Sequence, residues 1–359
     1  MTKLRVAIVG TGGIAAAHAD AITGESDRVE LVAVMDVDST RLVSFCEKYN
    51  IAKSYGDLDT LLGDVKPDLV HLCTPPALHV GQALACLAAG AHVWCEKPLC
   101  GSLADFDRIS DGEARTGKWV TTVFQWRSGA MGKYVKTLID AGTFGRPLIG
   151  VCNTLWYRAA AYYQVDWRGR WDNELGGTTL GHGVHLMDMF LWLFGEWRDV
   201  RAVTATLDHD IEVDDAAAAI VRFENGALGT ITNSTVSPRQ ETALRMDFQR
   251  ATVEVSGLYH YINTDWRFST FDGSPFADNL QTWSKAHSDE PSGHAAALKD
   301  LLDSLERNER PLLSGFEARK VLEFVTALYK SSYTNQVVTR GSITLDDRFY
   351  HAFNGNSSP

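Results

Sequence analysis

The segment LRVAIV at residues 4–9 runs directly into Gly10-Thr11-Gly12-Gly13-Ile14-Ala15, and a helical pattern from Ile14 to Ile22 follows. A nearly continuous apolar run reads as a strand buried on both faces, as in a parallel sheet covered by helices. The alternation continues as far as Phe124. VELVAVMD (29–36), a helix around Ser39–Tyr49, DLVHLCT (68–74) and the helix HVGQALACLAAG (79–90), which ends at a glycine, come first. HVWCEKP (92–98), a helix near 102–116 and WVTTVF (119–124) complete the series. Strands and helices at this spacing imply right-handed crossovers, and so a doubly wound parallel α/β sheet of the Rossmann type over residues 1–124.

Beyond Phe124 the texture changes. A helix (130–141) leads into PLIGVCNTLWY (147–157), VRAVTATLD (200–208), AAAAIVRF (216–223), ALGTITNS (227–234) and ALRMDFQRATVEVSG (243–257). Glu224-Asn225-Gly226 is a hairpin signal, because Asn-Gly tolerates the positive φ of a tight turn. Strands joined by hairpins imply an antiparallel sheet, so residues 125–345 are expected to form an α+β domain. Two late helices, HAAALKDLLDSLE (294–306) and GFEARKVLEFVTALYKSS (315–332), fall within it, and 346–359 is expected to be a tail whose end, NGNSSP, frays. With 359 residues, 45% of them hydrophobic, two cored domains are affordable.

The net charge of −11 is spread without a basic patch, so no nucleic-acid partner is expected. No apolar run approaches the roughly 20 residues of a membrane span. The first residues carry no signal-peptide pattern. Six cysteines (Cys46, Cys73, Cys86, Cys95, Cys100, Cys152) share no Cys-x-x-Cys spacing and sit mostly in apolar stretches. These features together lead us to expect a reduced, cytoplasmic protein without a membrane anchor.

The glycine cluster has the Gly-x-Gly-x-x-Gly/Ala arrangement in its required place, after a strand and opening a helix. Gly10 permits the tight turn, Gly12 lets the backbone approach a pyrophosphate, and Ala15 allows close helix–strand packing. Thr11, Gly13 and Ile14 complete the cradle, and the helix N-terminus offers N–H groups and positive dipole to phosphate. Asp36 ends the second strand where a carboxylate binds the adenine ribose hydroxyls. An anion there repels a 2′-phosphate, so NAD is expected over NADP. His18, further along the same helix, reads as a packed or capping histidine.

Two further stretches, CTPPALHVGQALACLAAGAHVWCEKPL (73–99) and GGTTLGHGVHLMDMFLWLFG (176–195), resemble the glucose-fructose oxidoreductase/inositol dehydrogenase/rhizopine-catabolism (Gfo/Idh/MocA) family. ENGALGTI (224–231) and the late SGFEARKVLEFVTALYKSS extend the likeness across nearly the whole chain. The resemblance implies a Rossmann domain followed by a domain on a large open, mainly antiparallel sheet. It places Thr74, Pro75, Pro76 and His79 along the nicotinamide half of the cofactor. It makes Glu96-Lys97-Pro98 the catalytic lysine motif, with Glu96 and Lys97 beside the cofactor and Lys97 hydrogen-bonding the reacting hydroxyl. An ammonium near an oxygen that develops negative charge is sound chemistry. His185 and Asp188 match the family's His-x-x-Asp. An imidazole suits removal of the hydroxyl proton, while Asp188 either orients a ring or substrate or simply holds the helix. Many relatives carry Asp where this chain has Gly181, which leaves the proton acceptor open and brings His182 forward as an assistant.

Substrate contacts are expected from Gln125 and Arg127 after the last Rossmann strand, and from Tyr157, Arg158, Tyr163, Trp167 and Arg168 in the aromatic segment 156–171. That segment reads equally well as a packed connection or a subunit interface. No metal is expected, since the acids near His182 and His185 lack ligand spacing. The resemblance implies NAD-dependent oxidation of a secondary hydroxyl on a sugar, sugar derivative or cyclitol. Its rivals are glycoside cleavage through transient C3 oxidation and elimination, and a non-catalytic dinucleotide-binding regulator. An open sheet face with many apolar residues needs a partner, so a homodimer or homotetramer is expected.

Overall fold

The computed structural model describes residues 3–355. They divide into two compact units, Met1–Val123 with His294–Arg319, and Phe124–Gly293 with Lys320–Pro359.

In the first unit, β1 (Leu4–Val9), β2 (Val29–Met35), β3 (Ser54–Tyr55), β4 (Leu69–Leu72), β5 (His92–Cys95) and β6 (Val120–Thr122) form one sheet in the order β3-β2-β1-β4-β5-β6. Every pairing is parallel. Val6, Ala7, Ile8 and Val9 are fully buried, as strands covered on both faces must be. The strand order reverses direction at β1 and β4, the place where open α/β sheets bind ligands beyond their carboxyl ends. Register brings those ends level. Val9 pairs with Met35 and with Leu72, and Leu72 pairs with Cys95. The residues that follow, Gly10, Asp36, Cys73 and Glu96, therefore leave the sheet along one edge.

The core against β1 is built from Ala15, Ala19 and Ile22 of the helix Ala15–Gly24 and from Ala297, Leu298, Leu301 and Leu302 of the helix His294–Glu306. The late helix had been expected in the second domain; its return to the first is a difference of partner. Amphipathic spacing tells which face of a helix is buried, and says nothing about what buries it. Arg28, bonded to Asp303 and Glu306 at 2.8 Å each, closes the rim of the same contact. The short strand β3 and the helix Leu58–Val65 also went unread, being too brief for a periodic signal.

In the second unit, β7 (Pro147–Tyr157), β8 (Trp197–Ala205), β9 (Ala216–Phe223), β10 (Leu228–Ser234), β11 (Val236–Phe248), β12 (Thr252–Ser256), β13 (Trp266–Ser269) and β14 (Val338–Thr339) form a sheet in the order β13-β12-β11-β7-β10-β9-β8-β14. All neighbours are antiparallel except β7 and β10, which run parallel. The Asn225-Gly226 hairpin joins β9 to β10, with Gly226 at φ +87°. The helix Val184–Phe194 covers one face. Phe190 lies where side chains on Gly150 of β7 and Gly229 of β10 would project, at 2.4 and 3.0 Å from ideal Cβ positions. Those glycines set how closely the helix approaches. The opposite face carries Ile149, Val203, Ile220 and Leu228, all exposed.

Residues 346–355 are packed, where a tail had been expected. Arg348–His351 forms a helical turn, Phe349 and Phe353 are buried, and the Phe353 ring lies 5.9 Å from Tyr329. The last part of NGNSSP, residues 356–359, lies outside the described residues. Among the described residues no helix is long and apolar enough to cross a membrane, and the six cysteines are unpaired.

Candidate active site

In the first unit the level strand ends gather Gly10–Ile14, Asp36, Thr74–Pro76, His79, Glu96 and Lys97. Gly10 is required twice over: its φ is +89°, and a Cβ there would lie 2.9 Å from the Cys73 carbonyl. Gly12 and Gly13 meet nothing within 4 Å, so their surfaces are open to a ligand. The helix Ala15–Gly24 has no side-chain N-cap and no acid in its first turn, which suits a phosphate at its N-terminus. Asp36 is anchored by Thr11, whose N–H and hydroxyl donate to one oxygen at 2.7 and 2.9 Å. The Asp38 N–H and Arg41 donate to the other at 2.8 and 3.1 Å. Burial opposes its charge, but these donors outweigh burial and hold the carboxyl below its ordinary value. An ionised carboxylate beside an open glycine turn fits the adenosine and pyrophosphate portions of a dinucleotide.

His79 and Glu96, both expected near the cofactor, turn their side chains to the protein. The His79 ring is fully buried, with Nδ1 2.7 Å from the Pro98 carbonyl and Nε2 2.9 Å from the Thr74 carbonyl. It thereby ties the loop after β4 to the segment after β5. Glu96 Oε1 lies 3.1 Å from His18 Nε2 and 3.0 Å from His294 Nε2, while Oε2 accepts the Lys97 N–H at 3.3 Å. Burial alone would raise the Glu96 pKa, but the bonds from His18 and His294 hold it well below the usual carboxylate range. Lys97 itself is half-buried, flanked on both sides by residues that buried imidazoles pin. His18, read as packed or capping, is buried and packed, and is a partner of Glu96 as well.

In the second unit, the glycine-rich stretch 176–183 forms a π-helical turn (Thr179–Gly183) leading into the helix Val184–Phe194. Asp214 organises it, accepting from Gly177 N at 3.0 Å, Thr179 N at 2.9 Å, Thr179 Oγ1 at 2.7 Å and Tyr329 OH at 2.7 Å. Burial nevertheless raises the Asp214 pKa. A Cβ on Gly177 would lie 1.9 Å from the Asp214 carbonyl oxygen, and one on Gly183 2.3 Å from Asn233. His182, in the π turn, and His185, in the first helical turn, are each only 6% exposed. His182 Nε2 is 3.3 Å from the Tyr162 hydroxyl, to which Arg168 also donates. The His185 ring meets Phe124 edge-on at 6.4 Å.

Arg127 and Asp188 are locked to each other. Arg127 Nε and Nη2 donate to the two Asp188 oxygens at 2.7 and 2.6 Å, and the side chains are 1% and 0% exposed. This bidentate pair fastens the turn Gln125–Ser128 to the helix, the second of the two roles open to Asp188, and occupies the Arg127 guanidinium. Gln125 Oε1 is buried without a hydrogen-bond partner among the described residues. In the segment 156–171, Arg158 stacks over Trp156 and Tyr162 at 4.8 and 5.3 Å, and Arg168 over Tyr162 and Trp167 at 3.9 and 4.2 Å. Tyr163 bonds Thr235 at 3.0 Å, and Tyr157 is exposed.

Glu174, Tyr162 and Asp214 were absent from the sequence reading. Glu174 is buried, takes the Gly169 N–H at 2.6 Å and pairs with Arg168 at 3.4 Å. Its Oε1 lies 3.8 Å from where a Cβ on Gly181 would stand. A carboxylate from another turn therefore reaches the neighbourhood of residue 181. Nothing in the spacing of Glu174 announces that.

Residues 4–124 match the oxidoreductase family with an NAD-binding Rossmann fold, and residues 133–257 match the GFO/IDH/MocA C-terminal domain. The chain is 28% identical to myo-inositol 2-dehydrogenase of Thermotoga maritima over 91% of its own length and 96% of that protein. It is 24% identical to D-glucoside 3-dehydrogenase of Escherichia coli, over 93% and 96%. The WlbA dehydrogenase of Bordetella pertussis, solved with NADH and UDP-GlcNAcA, superposes with a TM-score of 0.84 at 28% identity, covering 94% of this chain and 98% of that one. The two matched segments together take in more than half of the chain, and on them this protein belongs to the GFO/IDH/MocA family of NAD-binding oxidoreductases.

Proposed function

We propose that this protein oxidises a secondary hydroxyl of a sugar, sugar derivative or cyclitol, transferring hydride to NAD. The observation that carries the reading is the level edge of the first sheet, where an open glycine turn, an ionised ribose-type carboxylate and Lys97 follow β1, β2 and β5. The bound dinucleotide supplies the hydride acceptor. The backbone of Gly10–Ile14 binds its pyrophosphate, and Asp36 accepts from its ribose hydroxyls and disfavours a 2′-phosphate. Thr74, Pro75 and Pro76 line the nicotinamide side. His79 and Glu96 position the segment that bears Lys97, and the Lys97 ammonium donates to the reacting oxygen.

His185 takes the hydroxyl proton, and His182, oriented by Tyr162, assists. Glu174 supplies the carboxylate that Gly181 lacks, acting through the Arg168–Tyr162–His182 chain of bonds. Gln125, Arg158, Tyr163, Trp167, Arg168 and Tyr157 offer the polar and aromatic contacts a ring of C–H faces and hydroxyls needs. An inositol and a glucoside, named for the two relatives above, set the range of substrates. We place the protein in the cytoplasm, in keeping with its unpaired cysteines. We assign the exposed face bearing Ile149, Val203, Ile220 and Leu228 to a second copy of the chain, giving a homodimer or homotetramer. The deciding experiment is a screen of polyols, sugars and glycosides for NADH absorbance, with NAD and NADP in parallel. Net NADH with a cyclic polyol or sugar is the expected result. Glycoside cleavage without net NADH, or tight NAD binding with no turnover on any of them, overturns it.

A further inference from the structure

Three segments distant in sequence converge beneath the glycine turn: the helix Ala15–Gly24 brings His18, the end of β5 brings Glu96, and the helix His294–Glu306 brings His294 at its first position. We propose that His18, Glu96 and His294 form a binding site for a divalent transition-metal ion, best suited to zinc, that clamps these three segments together.

The donor set and the spacing both carry this. The two imidazole Nε2 atoms and Glu96 Oε1 lie within 4.8 Å of one another, and each nitrogen is 3.0–3.1 Å from that oxygen. Zinc holds histidine nitrogen and carboxylate oxygen at about 2.0–2.2 Å, which sets neighbouring tetrahedral ligand atoms roughly 3.3 Å apart. The two nitrogen–oxygen separations meet that with shifts of a few tenths of an ångström, and the two nitrogens, within 4.8 Å of each other, draw together as both rings turn toward one ion. Two imidazoles and one carboxylate form a zinc-type set, and the Irving–Williams order ranks zinc above manganese and iron for it.

A supporting group is already in place. His18 Nδ1 lies 3.1 Å from His71 Nδ1, and His71 is fully buried with Nε2 unpartnered among the described residues. A metal on His18 Nε2 requires the proton on Nδ1, where it is donated to His71, and the His71 proton then sits on Nε2. Both rings stay neutral, and the ligand's tautomer is fixed from behind, as in well-formed sites. Trp94, 1% exposed, packs against the His18, His71 and His294 rings at 4.6, 4.8 and 6.0 Å and excludes water from that side. His294, with 14% of its side chain exposed, is the point of entry. Glu96 also accepts the Lys97 N–H, but the proposal does not rest on the proposed reaction, because metal binding is measured without turnover.

The test uses tag-free full-length protein stripped with chelator, equilibrated with zinc and analysed for bound metal. Cobalt replaces zinc in a parallel sample to report coordination by its visible absorption. The wild type is expected to bind one equivalent and to melt at a higher temperature with zinc present. His294→Ala should weaken zinc binding by more than the 10–100-fold that loss of a mere supporting group costs, about a hundredfold or more. His294→Gln, of similar size, serves if the alanine variant misfolds, and His351→Ala, an exposed histidine elsewhere, should bind as the wild type does. Wild-type protein that binds no more zinc than the His294 variants overturns the proposal.

Discussion

The two candidate site regions are made from different material. In the first unit the ligand-facing surface is largely backbone: a glycine turn, a helix N-terminus and strand ends levelled by register, with one carboxylate added. In the second it is side chains drawn from distant segments, with Arg127 meeting Asp188 across 61 positions, Asp214 meeting Thr179 across 35 and Tyr162 meeting His182 across 20. A backbone surface follows from local rules, because glycine at positive φ and a carboxylate at a strand end are properties of short stretches. A side-chain constellation depends on how the sheet folds back on itself, which no short stretch encodes.

That contrast is tested most strongly at Lys97, the one side chain on the backbone-built edge assigned a chemical role. Lys97→Ala should lower turnover by about 10²–10⁴-fold with NAD affinity largely kept, read from steady-state kinetics beside an NAD titration. Normal turnover would remove the assignment. Next in size is the buried pair of the second unit. Asp188→Ala leaves the Arg127 guanidinium buried without its bidentate partner, so unfolding stability should fall by about 3–5 kcal/mol in a denaturant titration. A drop below about 1 kcal/mol, the range of surface pairs, would show that the pair is not what fastens the helix. Glu174→Gln should cost about tenfold in turnover, with most of it recovered by adding Gly181→Asp; no recovery would detach Glu174 from the role given it.

The elements themselves were mostly legible. The strands Pro147–Tyr157 and Ala216–Phe223 and the helix Ser39–Tyr49 have the bounds their residue patterns indicate. The parallel pairing of β7 with β10 was not legible, because hairpin signals report only antiparallel neighbours. Neither was the return of His294–Glu306 to the first unit, nor the division of 243–257 between two strands at the turn after Phe248. At the site, Asp36 and the glycines could be assigned from local context. The pairing of Arg127 with Asp188 was not legible, because an arginine after the last Rossmann strand gives no hint of an aspartate 61 residues on.

Protonation separates the two units once more. Burial lowers the pKa values of His18, His71 and His79 in the first unit, each fully buried, and carries His92 to about 4. His92 Nδ1 accepts the Trp119 N–H at 3.1 Å, a bond that only the unprotonated nitrogen can make, and Lys118 nearby adds to the effect of burial. In the unfolded chain these rings take up protons near pH 6.5, whereas folded they resist until lower pH. Their contribution to stability is thus complete above pH 6.5 and is lost as pH falls toward 4. Asp214 in the second unit has the opposite sign: burial raises its pKa, so acidification relieves its cost. Lowering the pH from 7.5 to 5 should therefore erode amide protection in β4 and β5 more than in β9 and β10, followed by hydrogen exchange. His92→Gln should remove about 1 kcal/mol of that acid sensitivity, less than the full linkage of a buried ring because His92 is partly exposed and screened by solvent. Equal loss of protection in both sheets would mean that neutral imidazoles do not set the acid response of the first unit.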